Sequence, residues 1–294
     1  MRKLPSAVLL VVSASLALSG CASTQATPEN SAVASKFTGL LKQVADNGSI
    51  KIITTNSVPY SNVPVGSTGE LQGIAPDVLR GFFDSVGLKN VKIEPSILAF
   101  PDSIPALQAG QADMLLDLFY ITPERQKIID FAKPIMMDPE ALIVKAGNPL
   151  HLTDLISLCG KTVGVNKGTA YADLMEKENE KCPEAKKMTL TLYPNYQGQF
   201  SDVGIGRIDA TIIDAPVAAA ALKENPSLGF ELVKGYKPSL SAPISVMFKK
   251  GTKGFVPEFD AYLTKIRKNG ELEKIMEKWG MEPVDLFLAP ESDY

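Results

Sequence analysis

Histidine is nearly missing from this 294-residue chain, with His151 the only one. A Ser-His-Asp relay therefore has no support: the one imidazole follows the turn Gly147-Asn148-Pro149 and reads as an exposed linker residue. Cysteine is scarce as well, at three, with no CxxC spacing, which leaves no ligand set for a structural metal. No basic patch or arginine-rich stripe stands out. The formal charge is −3, and setting aside Arg2 and Lys3 leaves 28 basic against 33 acidic side chains. That balance argues against a nucleic-acid partner. Beyond the N-terminal segment, nothing approaches the roughly 18 uninterrupted apolar residues of a transmembrane helix. No repeat or low-complexity tract appears, and nothing calls for a cofactor.

What is present begins with an address. Arg2 and Lys3 precede an apolar run at 7–18 that ends in Leu18-Ser19-Gly20-Cys21, so residues 1–20 read as a signal peptide. Leu-Ser-Gly-Cys resembles the bacterial lipobox, which implies cleavage before Cys21, acylation (palmitate) of that cysteine, and a chain held at a membrane outside the cytoplasm. Residues 21–36 are small and polar and read as a flexible tether. In an oxidising compartment Cys159 and Cys182 are left either to pair with each other or to stay as two buried thiols.

About 255 residues remain, enough for two moderate domains. Apolar runs of strand length alternate with helical patterns, the signature of an α/β fold with mostly parallel sheets. Strands are expected at 49–55, 91–97, 112–116, 141–145, 161–165, 209–213 and 244–248. Helices are expected at 76–86, 103–109 behind an Asp102 cap, 170–180, 217–223, 257–268 and 271–279.

Three strand-to-helix turns carry polar residues. In Leu118-Phe119-Tyr120-Ile121-Thr122-Pro123-Glu124-Arg125, Thr122 suits an N-cap, Pro123 suits the first helical position, and Arg125 falls in the first turn. Free backbone donors and a forked cation both suit a carboxylate. Gly168-Thr169 opens the helix at 170 and also suits an anion, whereas Asp214 suits a cation. Ligands of open α/β sheets bind beyond the carboxyl ends of strands, where such turns sit. One zwitterion would satisfy all three.

The chain resembles the bacterial extracellular solute-binding proteins of the polar amino acid type, the capture subunits of ABC importers. The likeness runs from about Ile50 to Gly280. It rests on Gly73, Ile104-Pro105-Ala106-Leu107-Gln108-Ala109-Gly110, Ile121-Thr122-Pro123-Glu124-Arg125 leading to Asp130-Phe131-Ala132-Lys133-Pro134, and Gly160-Lys161-Thr162-Val163-Gly164-Val165. Gly206-Arg207-Ile208-Asp209-Ala210, Asp214-Ala215-Pro216 and the closing Lys278-Trp279-Gly280 complete it. The resemblance implies a two-lobed, periplasmic-binding-protein-like fold with two crossover hinge strands near 141–148 and 240–248. Lobe 1 would be discontinuous, at 37–143 and 244–294, and lobe 2 would span 144–243. It implies Arg125 as the clamp on a ligand carboxylate and Gly168, Thr169 and Ala170 as the helix start facing it. Asp214 would accept the ligand amine, and Phe100 would pack on the ligand.

Departures from the family pattern touch the ligand. The segment ahead of Arg125, often rich in hydroxyls, here reads Asp117-Leu118-Phe119-Tyr120. Near the first strand stand Asn56, Ser57, Val58, Pro59 and Tyr60, with Tyr60 further along than the usual aromatic lid. An apolar or aromatic pocket follows, with Phe119, Tyr120, Asp117 and Ser57 as additional ligand contacts. A bulky, modified or cationic amino acid derivative becomes more plausible than plain glutamate or glutamine. The expected protein is a monomeric capture lipoprotein and not an enzyme, its partners a zwitterionic ligand, an ABC permease and, through Cys21, a lipid bilayer. The alternatives are a ligand sensor for a membrane receptor, or a dehydratase-like enzyme on the same fold with Asp117 as its general acid.

Overall fold

The computed structural model describes residues 28–67, 69–282 and 287–290. The expected signal segment and Cys21 lie outside these residues. The chain opens with two helices, α1 (Pro28–Ala34) and α2 (Gly39–Asn47), and then builds β1 (Ser49–Thr54), α3 (Ile74–Ser85), β2 (Lys92–Ile97) and α4 (Phe100–Gln108). β3 (Met114–Tyr120), the one-turn helix α5 (Pro123–Gln126) and β4 (Ile129–Phe131) complete the first pass through this lobe. A long strand, β5 (Met136–Lys145), leads to the second lobe, made of β6 (Thr162–Asn166), α6 (Ala170–Glu180), β7 (Thr189–Tyr193), α7 (Tyr196–Ile205), β8 (Ala210–Asp214), α8 (Ala215–Glu224) and β9 (Phe230–Leu232). The chain returns through β10 (Ser241–Lys249) and ends with α9 (Val256–Lys268) and α10 (Glu271–Lys278), back on the first lobe.

Each lobe holds three parallel strands, β2–β1–β3 in the first and β7–β6–β8 in the second. All seven residues of β3 are buried, as expected for an inner strand covered on both faces. The antiparallel strands do the joining. Met136 to Pro139 of β5 pair with β10, whereas Glu140 to Val144 pair with β8. The chain therefore changes sheets between Pro139 and Glu140, earlier than the expected boundary at 143/144. The return strand is already paired in the first sheet at Ser241, ahead of the expected 244.

Two acids interrupt the apolar run of β5, Asp138 and Glu140, and both are buried. Glu140 fastens the second crossover. Its carboxylate accepts from Leu240 N at 2.8 Å, from Tyr236 Oη at 2.9 Å and from Ser239 N. These donors all come from the segment between β9 and β10, so the two crossovers lie against each other. Burial pushes the Glu140 carboxyl above its ordinary pKa, opposed by these hydrogen bonds.

The tether reading at 21–36 is corrected at its C-terminal end. Residues 28–34 form α1, and the Asn30 amide is fully buried. Asn30 Nδ2 donates to Lys89 O at 2.8 Å, and Lys89 N donates to Asn30 Oδ1 at 2.7 Å. Small polar composition looks like a linker, but here an amide satisfies a donor and an acceptor of the turn after α3.

Cys159 and Cys182 form a disulfide with Cα atoms 5.5 Å apart, which settles the choice against free thiols. It ties the turn before β6 to the end of α6. Among the described residues, no helix is long and apolar enough to cross a membrane.

Candidate functional site

The two lobes meet over a small cavity with about 20 Å³ of free space between them, room for little more than a water molecule. Thr55, Ser57, Tyr60, Phe100, Asp117, Leu118, Phe119, Tyr120 and Arg125 line it from the first lobe. Thr169, Ala170, Tyr171, Tyr196 and Asp214 line it from the second. Nine of the ten expected ligand residues are in this lining. The tenth, Gly168, borders it through its carbonyl, which accepts from Arg125 Nη2 at 3.3 Å across the cleft.

One pole of the cavity is built for an anion. Thr122 caps α5 through its side chain, which accepts from Arg125 N at 3.2 Å. The Arg125 guanidinium donates to Tyr120 O at 3.0 Å, and the guanidinium has further N–H groups to offer. Burial lowers its pKa, opposed chiefly by the nearby Asp173; an arginine nevertheless stays charged at any working pH. Opposite stands the start of α6. Thr169 spends its hydroxyl locally, donating to Asn166 O at 2.8 Å and capping Ala172 N at 3.4 Å. The N–H groups of Ala170 and Tyr171 have no intrahelical acceptor there, the condition of any helix N-terminus. Gly168 makes the turn possible, with φ at +78°, a region where a side chain is strained.

The other pole is acidic and rimmed by phenols. Asp214 stands at the N-cap position of α8 but makes no side-chain cap. Its carboxylate instead accepts from Tyr171 Oη and Tyr196 Oη, each at 2.5 Å. Tyr120 Oη lies 2.8 Å from Tyr171 Oη, whose hydrogen goes to Asp214, and 2.9 Å from Asp138 O, so its single hydrogen serves one of these two neighbours at a time. Burial, followed by the neighbouring carboxylates, raises the pKa of Tyr171 and Tyr196 well above the ordinary phenol value, so both remain neutral donors.

Between the poles lies an aromatic wall. Phe100 and Phe119 stack with ring centroids 4.1 Å apart and planes within 10°. The Arg125 guanidinium carbon sits 5.6 and 5.4 Å from those centroids, within cation–π range. α4 begins at Phe100, ahead of the expected start at 103, which fixes this ring at the first position of a helix. Tyr120 contributes its ring to the lining while its hydroxyl is engaged in linking the lobes.

Asp117 is almost fully buried and is held as a strut. Its Oδ2 accepts from Thr55 N at 3.0 Å and Thr55 Oγ1 at 2.5 Å, and its Oδ1 accepts from Leu118 N at 2.9 Å. Ser57 Oγ lies 3.0 Å from Thr55 Oγ1, so Ser57, Thr55 and Asp117 form one hydrogen-bonded row.

Sequence reasoning missed Thr55, Leu118, Tyr171 and Tyr196, and it placed Tyr60 too far along to serve. Tyr60 is buried in the lining and donates to Asp138 Oδ1 at 2.8 Å. It reaches that position because Gly73, at φ +131°, lets the Tyr60 backbone approach: a Cβ on Gly73 would lie 2.5 Å from Tyr60 O. The available signals were Gly73 itself and the acids inside β5.

Burial raises the Asp117 carboxyl from 3.8 to about 7, opposed by its hydrogen bonds to Thr55 and Leu118. The native state therefore holds a proton there that the unfolded chain has released, between about pH 4 and 7. The stability this group contributes is full below about pH 4 and is lost as pH rises toward 7. Denaturant unfolding at a series of pH values is expected to show wild type losing stability relative to Asp117→Asn across that window, with a constant difference above it.

Three comparisons bear on this geometry. The chain is 25% identical over 279 residues to the glutamine-binding protein GlnH of a Bacillus subtilis ABC transporter, covering 95% of this chain and 97% of that one. An ancestral arginine-binding protein solved with arginine superposes with a TM-score of 0.69 at 29% identity, over 79% of this chain and 98% of that one. An ancestral amino acid-binding protein, a precursor of cyclohexadienyl dehydratase, gives a TM-score of 0.70 at 25% identity, over 82% of this chain and 99% of that one. The family model of the bacterial extracellular solute-binding proteins, family 3, matches residues 28–282. Its span takes in both lobes and every residue that lines the cavity, and the chain belongs to that family.

Proposed function

We propose that the protein captures an α-amino acid, or a close zwitterionic derivative, between its lobes and delivers it to the permease of an ABC importer without chemical change. One observation carries this reading. An anion pole made by Arg125 and the start of α6, and a cation pole made by Asp214 with two tyrosine hydroxyls, face one small cavity. The acceptors at the second pole call for N–H donors, which an ammonium has and a quaternary amine lacks. The Phe100–Phe119 face suits a side chain that packs on an aromatic ring, including a cationic one. Glutamine and arginine, the amino acids in the names of the relatives, carry both poles of such a zwitterion.

Support for binding rather than catalysis comes from Asp117. Both its oxygens are already engaged by Thr55 and Leu118, which suits a strut better than a group that moves a proton to a substrate. Extracytoplasmic anchoring through acylated Cys21 belongs to the same proposal and rests on Leu18-Ser19-Gly20-Cys21.

A thermal-shift screen over the common amino acids, opines and betaines tests the ligand class. A ligand at about 1,000 times its dissociation constant adds about 4 kcal/mol to stability, so the best amino acid is expected to raise the melting temperature by several degrees and betaines are expected not to. Arg125→Ala should cost about 2–5 kcal/mol of that ligand's affinity, the range for truncating one partner of a buried charged pair; unchanged affinity would remove Arg125 from the site. Labelled palmitate should enter the wild-type chain in a bacterial host and not the Cys21→Ala variant. Equal labelling of the two would remove the anchor.

A further inference from the structure

Asp138 lies behind the cavity wall, bonded to the lining residue Tyr60, and the zwitterion clamp does not use it. It sits on β5, one residue ahead of Pro139, where the chain leaves the first sheet for the second. Its side chain is fully buried. Oδ1 accepts from Tyr60 Oη at 2.8 Å, and Oδ2 has no hydrogen-bond partner that the ordinary donor and acceptor roles can supply. Across the β5–β8 ladder Glu140 stands opposite Asp214, so Asp138, two residues along the same face of β5, is the diagonal neighbour of Asp214, and the two carboxyls act on each other. Two carboxylates have no hydrogen to place between them; a carboxylic acid and a carboxylate have one.

The surroundings favour the neutral form. Tyr60 after β1, Tyr120 on β3, Tyr171 on α6 and Tyr196 on α7 supply neutral phenols around the pair. The charged groups acting on Asp138 most strongly are Asp214 and Glu140, both acidic. Asp117 lines the same cavity on the β3 side, and Arg125 lies at the far pole. A ligand ammonium and Arg125 bring two positive charges, and the ligand carboxylate and Asp214 already match them with two negative ones before Asp117 is counted. An ionised Asp138 would leave an excess negative charge in a dry place, where an uncompensated ion is costly.

We propose that Asp138 is a positioning residue of the ligand site: a neutral carboxylic acid that donates its proton to Asp214, so that the pair shows the ligand's cationic group one oriented negative charge. The hinge strand thereby holds the acceptor of the second lobe in place through a single shared hydrogen. Burial and the neighbouring Asp214 both push the Asp138 carboxyl well above the ordinary range, in the direction this arrangement requires. The assignment rests on the amino acid reading for the ligand, but not for the protonation state.

The test is spectroscopic and uses the full chain without ligand. At pH 8, where Asp117 is mostly ionised, the infrared difference between wild type and Asp138→Asn is expected to contain the C=O stretch of a protonated carboxylic acid that shifts in D2O. A difference containing only carboxylate bands would overturn the proposal. Should Asp138→Asn fold poorly, wild-type protein labelled with 13C at the aspartate carboxyls replaces it. One resonance should stay at its protonated position at pH 8, and a set of aspartates that are all ionised there would be the contrary result.

Calorimetric titration with L-arginine and L-glutamine reads the positioning role. Asp138→Asn keeps an N–H donor for Asp214 and should bind the better of the two within a few-fold of wild type. Asp138→Leu should bind it at least tenfold more weakly. Equal binding by the leucine variant would overturn the role. If wild type binds neither amino acid, the ligand reading fails, and the infrared result still decides the state of Asp138.

Discussion

Burying a carboxylate costs several kcal/mol unless donors or a counter-charge meet it, and that constraint organises the middle of this molecule. Asp214 draws Tyr171 and Tyr196 to itself, Asp138 draws Tyr60, Glu140 draws Tyr236, Ser239 and Leu240, and Asp117 draws Thr55 and Leu118. Most of these donors lie far along the chain from the acid they serve. Satisfying four carboxyl groups therefore brings together the loop after β1, the crossover before β10 and the first turns of α6 and α7. Two of the four, Asp117 and Asp214, line the cavity between the lobes.

β5 carries the mechanical side of the account. It pairs with β10 up to Pro139 and with β8 from Glu140, so the lobes share a strand that neither can lose. Direct polar contacts across the cleft are lighter: Arg125 reaches the Gly168 carbonyl, and the Tyr120 and Tyr171 hydroxyls meet. Lobes joined by a continuous hinge and a few cleft contacts can part at modest cost. A ligand favours the closed arrangement only by what it contacts in both lobes at once. The anion pole is well placed for that, since Arg125 comes from one lobe and the start of α6 from the other.

Most regular elements were legible because their periodicity is strong. α3, α9 and α10 keep helical spacing, and β3 reads as an apolar run broken only by Asp117. α7 was not legible: two glycines and a small apolar stripe hide a helix that Asn195 caps through Gly198 N at 3.1 Å. α1 was read as linker because its composition is small and polar; the pairing of Asn30 with Lys89 and the burial of Ala34 in the core give it a place. In the site, residues at strand-to-helix turns were found because capping chemistry marks them: Arg125, Thr169, Asp214. Tyr60, Tyr171 and Tyr196 carry no local mark. Each matters through a partner on another element, and that partner depends on the tertiary fold.

The proposed zwitterion would bridge the two poles, its carboxylate at Arg125 and α6 and its ammonium at Asp214. Titration calorimetry with the tightest-binding amino acid, its N-acetyl derivative and its carboxamide tests this without altering the protein. The account predicts that blocking either end of the ligand abolishes measurable binding, because each modification removes the charge one pole is built to meet. Binding of the N-acetyl derivative or the carboxamide as tight as that of the parent amino acid would contradict it.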